Sequence, residues 1–139
     1  WTHELAPHGI FTTDAEGTIN SWYEGARQVF GWNETEILGQ KCNVTFTPED
    51  RAAGEPEKER ETARREGISP DIRWHQRKDG SRVFINGVMH LLRDGQRDGF
   101  FKMGRDETAQ RQAEDALRGS EERLRLILES AKGYAGKRL

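Results

Sequence analysis

Apolar and polar positions alternate with a period of two in five short runs, and apolar residues recur every seventh position in one long run near the C-terminus. Gly9-Ile10-Phe11-Thr12-Thr13 and Thr18-Ile19-Asn20-Ser21-Trp22 flank Asp14-Ala15-Glu16-Gly17, a turn closed by glycine, so the first two runs predict a β-hairpin. Runs at about 71–77, 82–92 and 98–105 are separated by Lys78-Asp79-Gly80 and Arg93-Asp94-Gly95 and predict an antiparallel meander. Short helices fill the interval between the two groups. One spans 23–30 and stops at Gly31. A second is capped by Asn33, with Glu36 completing a capping box, and ends at Gly39. Cys42 to Phe46 reads as irregular or short helical chain, and Thr47-Pro48 supplies a hydroxyl cap followed by proline in the first turn of a third helix. Residues 55–66 are helical in composition but have almost no apolar face; Glu61 is spaced to pair with Arg64 and Arg65. Such a helix, closed by Gly67 and Pro70, is expected on the surface.

From about residue 107 the period becomes seven. Leu117, Leu124 and Ala131 share one heptad position, and Ala113, Ser120 and Ile127 share its partner. This predicts a coiled coil of about three heptads, weakened by Gly119 and Ser120, through which two copies would pair by Leu117, Leu124 and Ile127. The alternative is an amphipathic helix folded back on its own sheet. The element order predicts an α+β fold: a five-stranded antiparallel sheet with short helices on one face, over residues 1–108, then a long helix over 109–139.

A chain of 139 residues suits one domain plus this tail, the globular part being about 105 residues. Hydrophobic and charged residues each make up 33%, and the net charge is −2 with both signs interspersed. A modest core is affordable; a basic face for nucleic acid is excluded. Cys42 is the single cysteine, so no internal disulfide forms. No apolar run approaches the ~20 residues of a membrane span, no secretory signal is present, and the cytoplasm is the expected compartment. No nucleophile elbow, phosphate loop or metal motif stands out, so the chain reads as a regulatory domain rather than an enzyme.

Taken together and in order, Gly9-Ile10-Phe11-Thr12-Thr13-Asp14, Gly17-Thr18-Ile19, Ser21-Trp22, Gly25-Ala26, Phe30-Gly31-Trp32, Glu36-Ile37-Leu38-Gly39, Pro48-Glu49-Asp50-Arg51, Arg77-Lys78-Asp79-Gly80-Ser81, Gly99-Phe100 and Asp106-Glu107-Thr108 resemble a PAS domain over about residues 5–108. The Arg73-Trp74-His75 and Arg77-Lys78-Asp79-Gly80 segments look most like PAS domains of bacterial sensor histidine kinases, with PAC-type C-terminal strands. Residues Glu121 to Ala131 resemble the lead-in helix of another PAS domain. The resemblance implies a five-stranded sheet cupping a pocket under the short helices. It also implies an Asp-x-Thr junction, Asp106 and Thr108, that passes changes in the sheet to a coiled-coil linker and a downstream effector. Physically, either residue can cap the helix that follows, and Asp106 can pair with an arginine. The expected role is sensing and signal relay; the alternative is a ligand-free module for dimerisation or docking.

The resemblance also brings cofactors into question. Flavin-binding PAS relatives carry Gly-x-Asn-Cys-Arg-Phe-Leu-Gln, against which Gly39-Gln40-Lys41-Cys42-Asn43-Val44-Thr45-Phe46 keeps only the glycine and the cysteine. Asn86 falls near a family asparagine, but Gly104 stands where those proteins use glutamine. Cys42 reads instead as a small buried residue. Haem-binding relatives place a histidine on the long helix, and residues 55–66 have none; His75 and His90 fall on strands, and His3 and His8 precede the first. Flavin and haem are therefore disfavoured, leaving no cofactor or a small molecule, and no metal.

Alternation groups Phe84, Asn86, Val88 and His90 on one face of the fourth strand, and Val83, Ile85, Met89 and Leu91 on the other. Both faces are apolar enough to be covered. The resemblance turns Asn86 inward, beside Phe100 and Lys102. The candidate ligand set is then Cys42, Phe46, Trp74, Asn86, His90, Phe100 and Lys102, with Asn86, His90 and Lys102 suited to a small polar or anionic ligand. The competing reading is a packed core with internal hydrogen bonds. Trp22, Trp32 and Trp74 read first as core anchors.

Overall fold

The computed structural model describes residues 7–94 and 97–137. His3 and the Gly95 part of the last predicted turn lie outside them. The chain forms two units, residues 1–107 and 108–139.

In the first unit the strands are β1 (His8–Asp14), β2 (Ile19–Trp22), β3 (Ile68–Gln76), β4 (Arg82–Asp94) and β5 (Arg97–Asp106). They pair antiparallel in the order β2-β1-β5-β4-β3. The last strand in sequence is therefore the middle strand of the sheet. Helices α1 (Glu24–Phe30), α2 (Glu34–Ile37), α3 (Pro48–Ala52) and α4 (Glu55–Glu66), with a 3-10 turn at Cys42–Thr45, fill the interval between β2 and β3. This is the predicted α+β fold.

Local chemistry accounts for the elements. The Asp14 carboxylate accepts from the Glu16 and Thr18 amides and closes the first hairpin. The Asn33–Glu36 capping box forms, the Asn33 amide donating to Glu36 Oε1 at 2.8 Å. Thr47 Oγ1 accepts from the Asp50 amide, and Pro48 occupies the first turn of α3. At Gly25 an added Cβ would stand 2.0 Å from the His8 carbonyl oxygen, so glycine lets α1 pack directly on β1. The third strand starts earlier than expected, at Ile68, and passes through Pro70. It can do so because β3 is an edge strand, where a missing amide donor is tolerated.

The core has two parts. Phe11, Ile19, Trp22, Ala26, Val29, Phe30, Ile37, Cys42, Val83 and Ile85 form the larger cluster, and Ala63, Met89 and Phe100 the smaller. Trp22 is an anchor whose Nε1 donates to the Trp32 carbonyl at 2.9 Å.

Three expectations are corrected. The inward face of β4 carries Val83, Ile85, Gly87 and Met89, so Phe84, Asn86, Val88 and His90 point away from the helices. Both sets are apolar, so alternation defines the faces without saying which one the helices cover, and an error of one residue turns every side chain over. Helix α4 lies at the surface as expected but is not solvated all round: Pro56, Glu59, Arg60 and Ala63 are buried on one face. Its inward face is polar because the groups it meets are charged. Outside, Glu61 and Arg64 pair at 2.9 Å as spaced. The outer face of the sheet keeps Ile68, Ile72, Leu92 and Met103 exposed, against the expectation of cover on both sides.

The second unit is one helix, α5 (Thr108–Lys137), 30 residues long. Leu117, Leu124, Leu126, Ile127, Leu128 and Tyr134 are exposed on it. Ion pairs along its own surface join Arg111 and Arg118 to Asp115, and Arg125 to Glu129.

Candidate functional site

Beneath α4 the interior of the cup is charged. Glu59 comes from α4, Asp71 and His75 from β3, and Lys102 from β5. Their side chains are 1%, 0%, 0% and 3% exposed. Lys102 Nζ lies 2.7 Å from Glu59 Oε1 and 3.0 Å from Asp71 Oδ2. His75 Nε2 lies 2.8 Å from Asp71 Oδ2, and its Nδ1 lies 2.9 Å from the Thr45 carbonyl oxygen. Strand alternation puts Asp71, Arg73 and His75 on one face, and helical spacing puts Glu55, Glu59 and Ala63 on the facing side.

Arg73 closes the cluster towards solvent. Its Nε donates to Asp71 at 2.9 Å and its Nη1 to Glu55 at 3.2 Å, with Asp50 at 3.7 Å and Glu59 at 4.0 Å. Phe46 sits among the cations, its ring centroid 4.6 Å from Lys102 Nζ, 5.4 Å from Arg73 Cζ and 4.7 Å from the His75 ring. On the other side, Arg60 Nη1 donates to Asn43 Oδ1 and approaches Cys42 Sγ at 3.4 Å. Gly17, at φ +88°, makes room for that guanidinium: a Cβ there would stand 2.5 Å from Arg60 Nη1.

Burying charge is costly unless partners return the lost hydration, and here each ion has one. Burial works to raise the Asp71 carboxyl, but Lys102 and His75 outweigh it and hold it well below the usual carboxylate range. Burial likewise works against the Lys102 ammonium, yet Asp71 and Glu59 raise it above an ordinary lysine. Glu59 goes the other way. Burial, with Asp71 adding to it and Lys102 opposing, pushes its carboxyl up to about 7. Burial also pushes the Cys42 thiol up, so it is a packed thiol rather than a nucleophile.

Of the candidate ligand residues, Cys42, Phe46, Phe100 and Lys102 face the interior. Trp74, Asn86 and His90 do not, because they lie on the outer face of β3 and β4. Trp74 packs edge-to-face on Phe84 at 5.3 Å, and His90 lies 6.3 Å from the Phe101 ring. Asn86 Nδ2 donates to the Glu107 carboxylate at 3.3 Å, beside an open hollow of about 290 Å³ shared with His8, Val88, Met103 and Arg105. Sequence reasoning missed Glu59, Asp71, Arg73 and His75. The signal present was an acid, a base and a histidine at i, i+2 and i+4 of one strand. At the junction, Asp106 pairs with Arg77 at 3.7 Å, and Arg77 Nε donates to the Val29 carbonyl. Thr108 is the first residue of α5, and Leu117, Leu124 and Ile127 lie along that helix.

An antiparallel sheet in the order 2-1-5-4-3, with its short helices gathered over one face, defines a small α+β domain. The PAS domain family profile matches residues 7–109. The chain belongs to the PAS domain family. It is 35% identical over 111 residues to Two-component system protein A of Emericella nidulans, a match covering 79% of this chain and 16% of that protein. The chain thus spans about one-sixth of that relative's length. Among solved structures, the PAS domain of a protein from Colwellia psychrerythraea is 20% identical with a TM-score of 0.68, over 78% of this chain and 92% of that one. A domain of a sensory box sensor histidine kinase/response regulator from Geobacter sulfurreducens is 22% identical with a TM-score of 0.63, over 73% and 84%. At such identities these two structures speak to the fold.

Proposed function

We propose that the chain is a regulatory, non-catalytic relay module of a two-component signalling protein of the histidine-kinase type. The observation that carries this reading is the position of Lys102. It is a buried cation that bridges α4 and β3, and it stands on β5, the central strand, whose last residue Asp106 is separated from α5 by Glu107 alone. A change inside the cup that moves Lys102 acts on the strand that leads to the helix. Asp106, tied through Arg77 to α1, is the bracket at that strand's end. The Emericella relative is named a two-component system protein and the Geobacter domain comes from a sensor histidine kinase/response regulator, which supports the same reading.

The partner in this scheme is a second copy, paired through α5 in the cytoplasm, with an effector domain beyond it. Leu117, Leu124 and Ile127 are 61%, 57% and 62% exposed at heptad spacing, as a coiled-coil seam requires. No described helix is long and apolar enough to cross a membrane. The second reading is a module for dimerisation alone, with no ligand. It is favoured by the packing of Phe46, Phe100, Glu59, Asp71, His75 and Lys102 into the space where a ligand would otherwise sit.

Leu124→Asp tests the pairing. Sedimentation equilibrium of the 139-residue chain is expected to show a dimer whose dissociation constant rises at least tenfold in the variant, with circular dichroism of the sheet unchanged. A dimer of unaltered strength, or a wild-type chain that is monomeric, removes the coiled coil from the scheme.

A further inference from the structure

The hydrogen-bond partners of His75 constrain the charge inside the cup. Both ring nitrogens face acceptors: the Thr45 carbonyl on Nδ1 and the Asp71 carboxylate on Nε2. A neutral imidazole has one N–H to offer, so satisfying both contacts requires a second proton on the ring. Asp71 is not the source of that proton, because it already receives Lys102 at 3.0 Å and the Arg73 Nε–H at 2.9 Å.

Glu59 is held differently. Among the described residues no donor is aligned for a hydrogen bond on either of its buried oxygens; its neighbours are Lys102 Nζ at 2.7 Å, Arg73 Nη2 at 4.0 Å and the Asp71 carboxyl. Among the four buried groups, Asp71 and Lys102 cancel. Neutrality then leaves one proton to be held by His75 and Glu59 together. With it on His75, Glu59 is a carboxylate ion-paired to Lys102. With it on Glu59, Lys102 stays an ammonium and the same contact sets a cation against a neutral acid, no longer an ion pair. Losing it leaves a net negative charge among buried side chains, and gaining a second leaves a net positive one.

We infer that the interior of the cup is a proton-responsive site: the Glu59–Lys102–Asp71–His75 cluster takes up and releases one proton as pH crosses neutrality, altering the link between α4 and the central strand β5. The groups around it are few. α4 presents Glu55, Glu59 and Arg60, with Glu57 pairing outward on Arg60 at 3.8 Å. α3 presents Asp50, the 3-10 turn Cys42, β3 Asp71, Arg73 and His75, and β5 Lys102. The inward residues of β4 are Val83, Ile85, Gly87 and Met89, and those of β1 are Gly9, Phe11 and Thr13, none of them titratable. Arg60 is engaged by Asn43 and Glu57, and Arg73 is shared among Asp71, Glu55 and Asp50, reaching Glu59 only at 4.0 Å. The upward displacement of the Glu59 carboxyl by burial points the same way.

The site needs no dimer, so it is tested apart from the relay reading: a chain that proves monomeric overturns that reading and leaves this one standing. The test is carbon-detected NMR of side-chain carboxyls in the whole chain, titrated from about pH 5 to pH 9. One buried glutamate is expected to titrate within about tenfold in proton concentration of neutrality, with amide shifts in β3 and β5 moving in the same step. Glu59→Gln, nearly isosteric, is expected to fold and to abolish the step. Infrared difference spectra supply a second readout, a buried carboxylic-acid carbonyl band lost above neutrality and missing from Glu59→Gln. A Glu59 carboxyl that stays in one state throughout, or a step that survives Glu59→Gln, overturns the inference.

Discussion

On the β1–β2–α1 side of the cup, Phe11, Trp22 and Phe30 stack with ring centroids 5.1 to 6.2 Å apart, over Ile19, Ala26 and Val29. On the α4–β3–β5 side the same depth is reached by Glu59, Asp71, His75 and Lys102. The first side is held by area removed from water, which is non-directional and indifferent to pH. The second is held by ion pairs whose partners come from three separate elements. Their worth depends on every member being present and correctly protonated. The side built from hydrocarbon suits a fixed frame; the side built from charge suits a part that changes state.

The largest test of that contrast is Lys102→Met. Removing the ammonium leaves Glu59 and Asp71 as buried anions with less compensation, and urea unfolding at neutral pH is expected to show a loss of about 3–5 kcal/mol. A loss below about 1 kcal/mol would mean that the two sides do not differ as described. The pH dependence comes next. The Glu59 carboxyl is raised from an ordinary 4.5 to about 7, so its contribution is fully present below 4.5 and is lost as pH rises through about 7. Asp71 is lowered, so its contribution is present above its ordinary 3.8 and is lost as pH falls below that. Stability is therefore expected to be greatest between these limits and to fall by up to about 3 kcal/mol towards pH 8, a slope that Glu59→Gln should flatten. The smallest effect belongs to the apolar side. Ile19→Val is expected to cost about 1 kcal/mol, equally at pH 5 and pH 8; a pH-dependent cost would tie the two sides together.

The apolar frame was legible in the chain because hydrophobic periodicity reports burial directly. The hairpin at Asp14–Gly17, the Asn33–Glu36 box, the Thr47-Pro48 helix start and the meander of the last three strands all formed where local chemistry placed them. The charged side was not legible for the same reason. Glu59 and Arg60 sit in a helix whose composition reads as solvated, and nothing local distinguishes them from the exposed Glu61 and Arg64. Asn86 and His90 lie on the opposite face from the one expected because both faces of β4 carry apolar residues, and Trp74 of the neighbouring β3 shares that outer face.

What the amino-acid order determined alone is the list of elements, their turns and caps, and the heptad run from Ala113 to Ala131, since each of these depends on residues within a few positions of one another. Which face of β4 the helices cover, and that Lys102 would meet Glu59 and Asp71, were decided only by tertiary structure. Those contacts join strands and a helix far apart in sequence, and a buried charge is tolerable only once folding has brought its partner within about 3 Å.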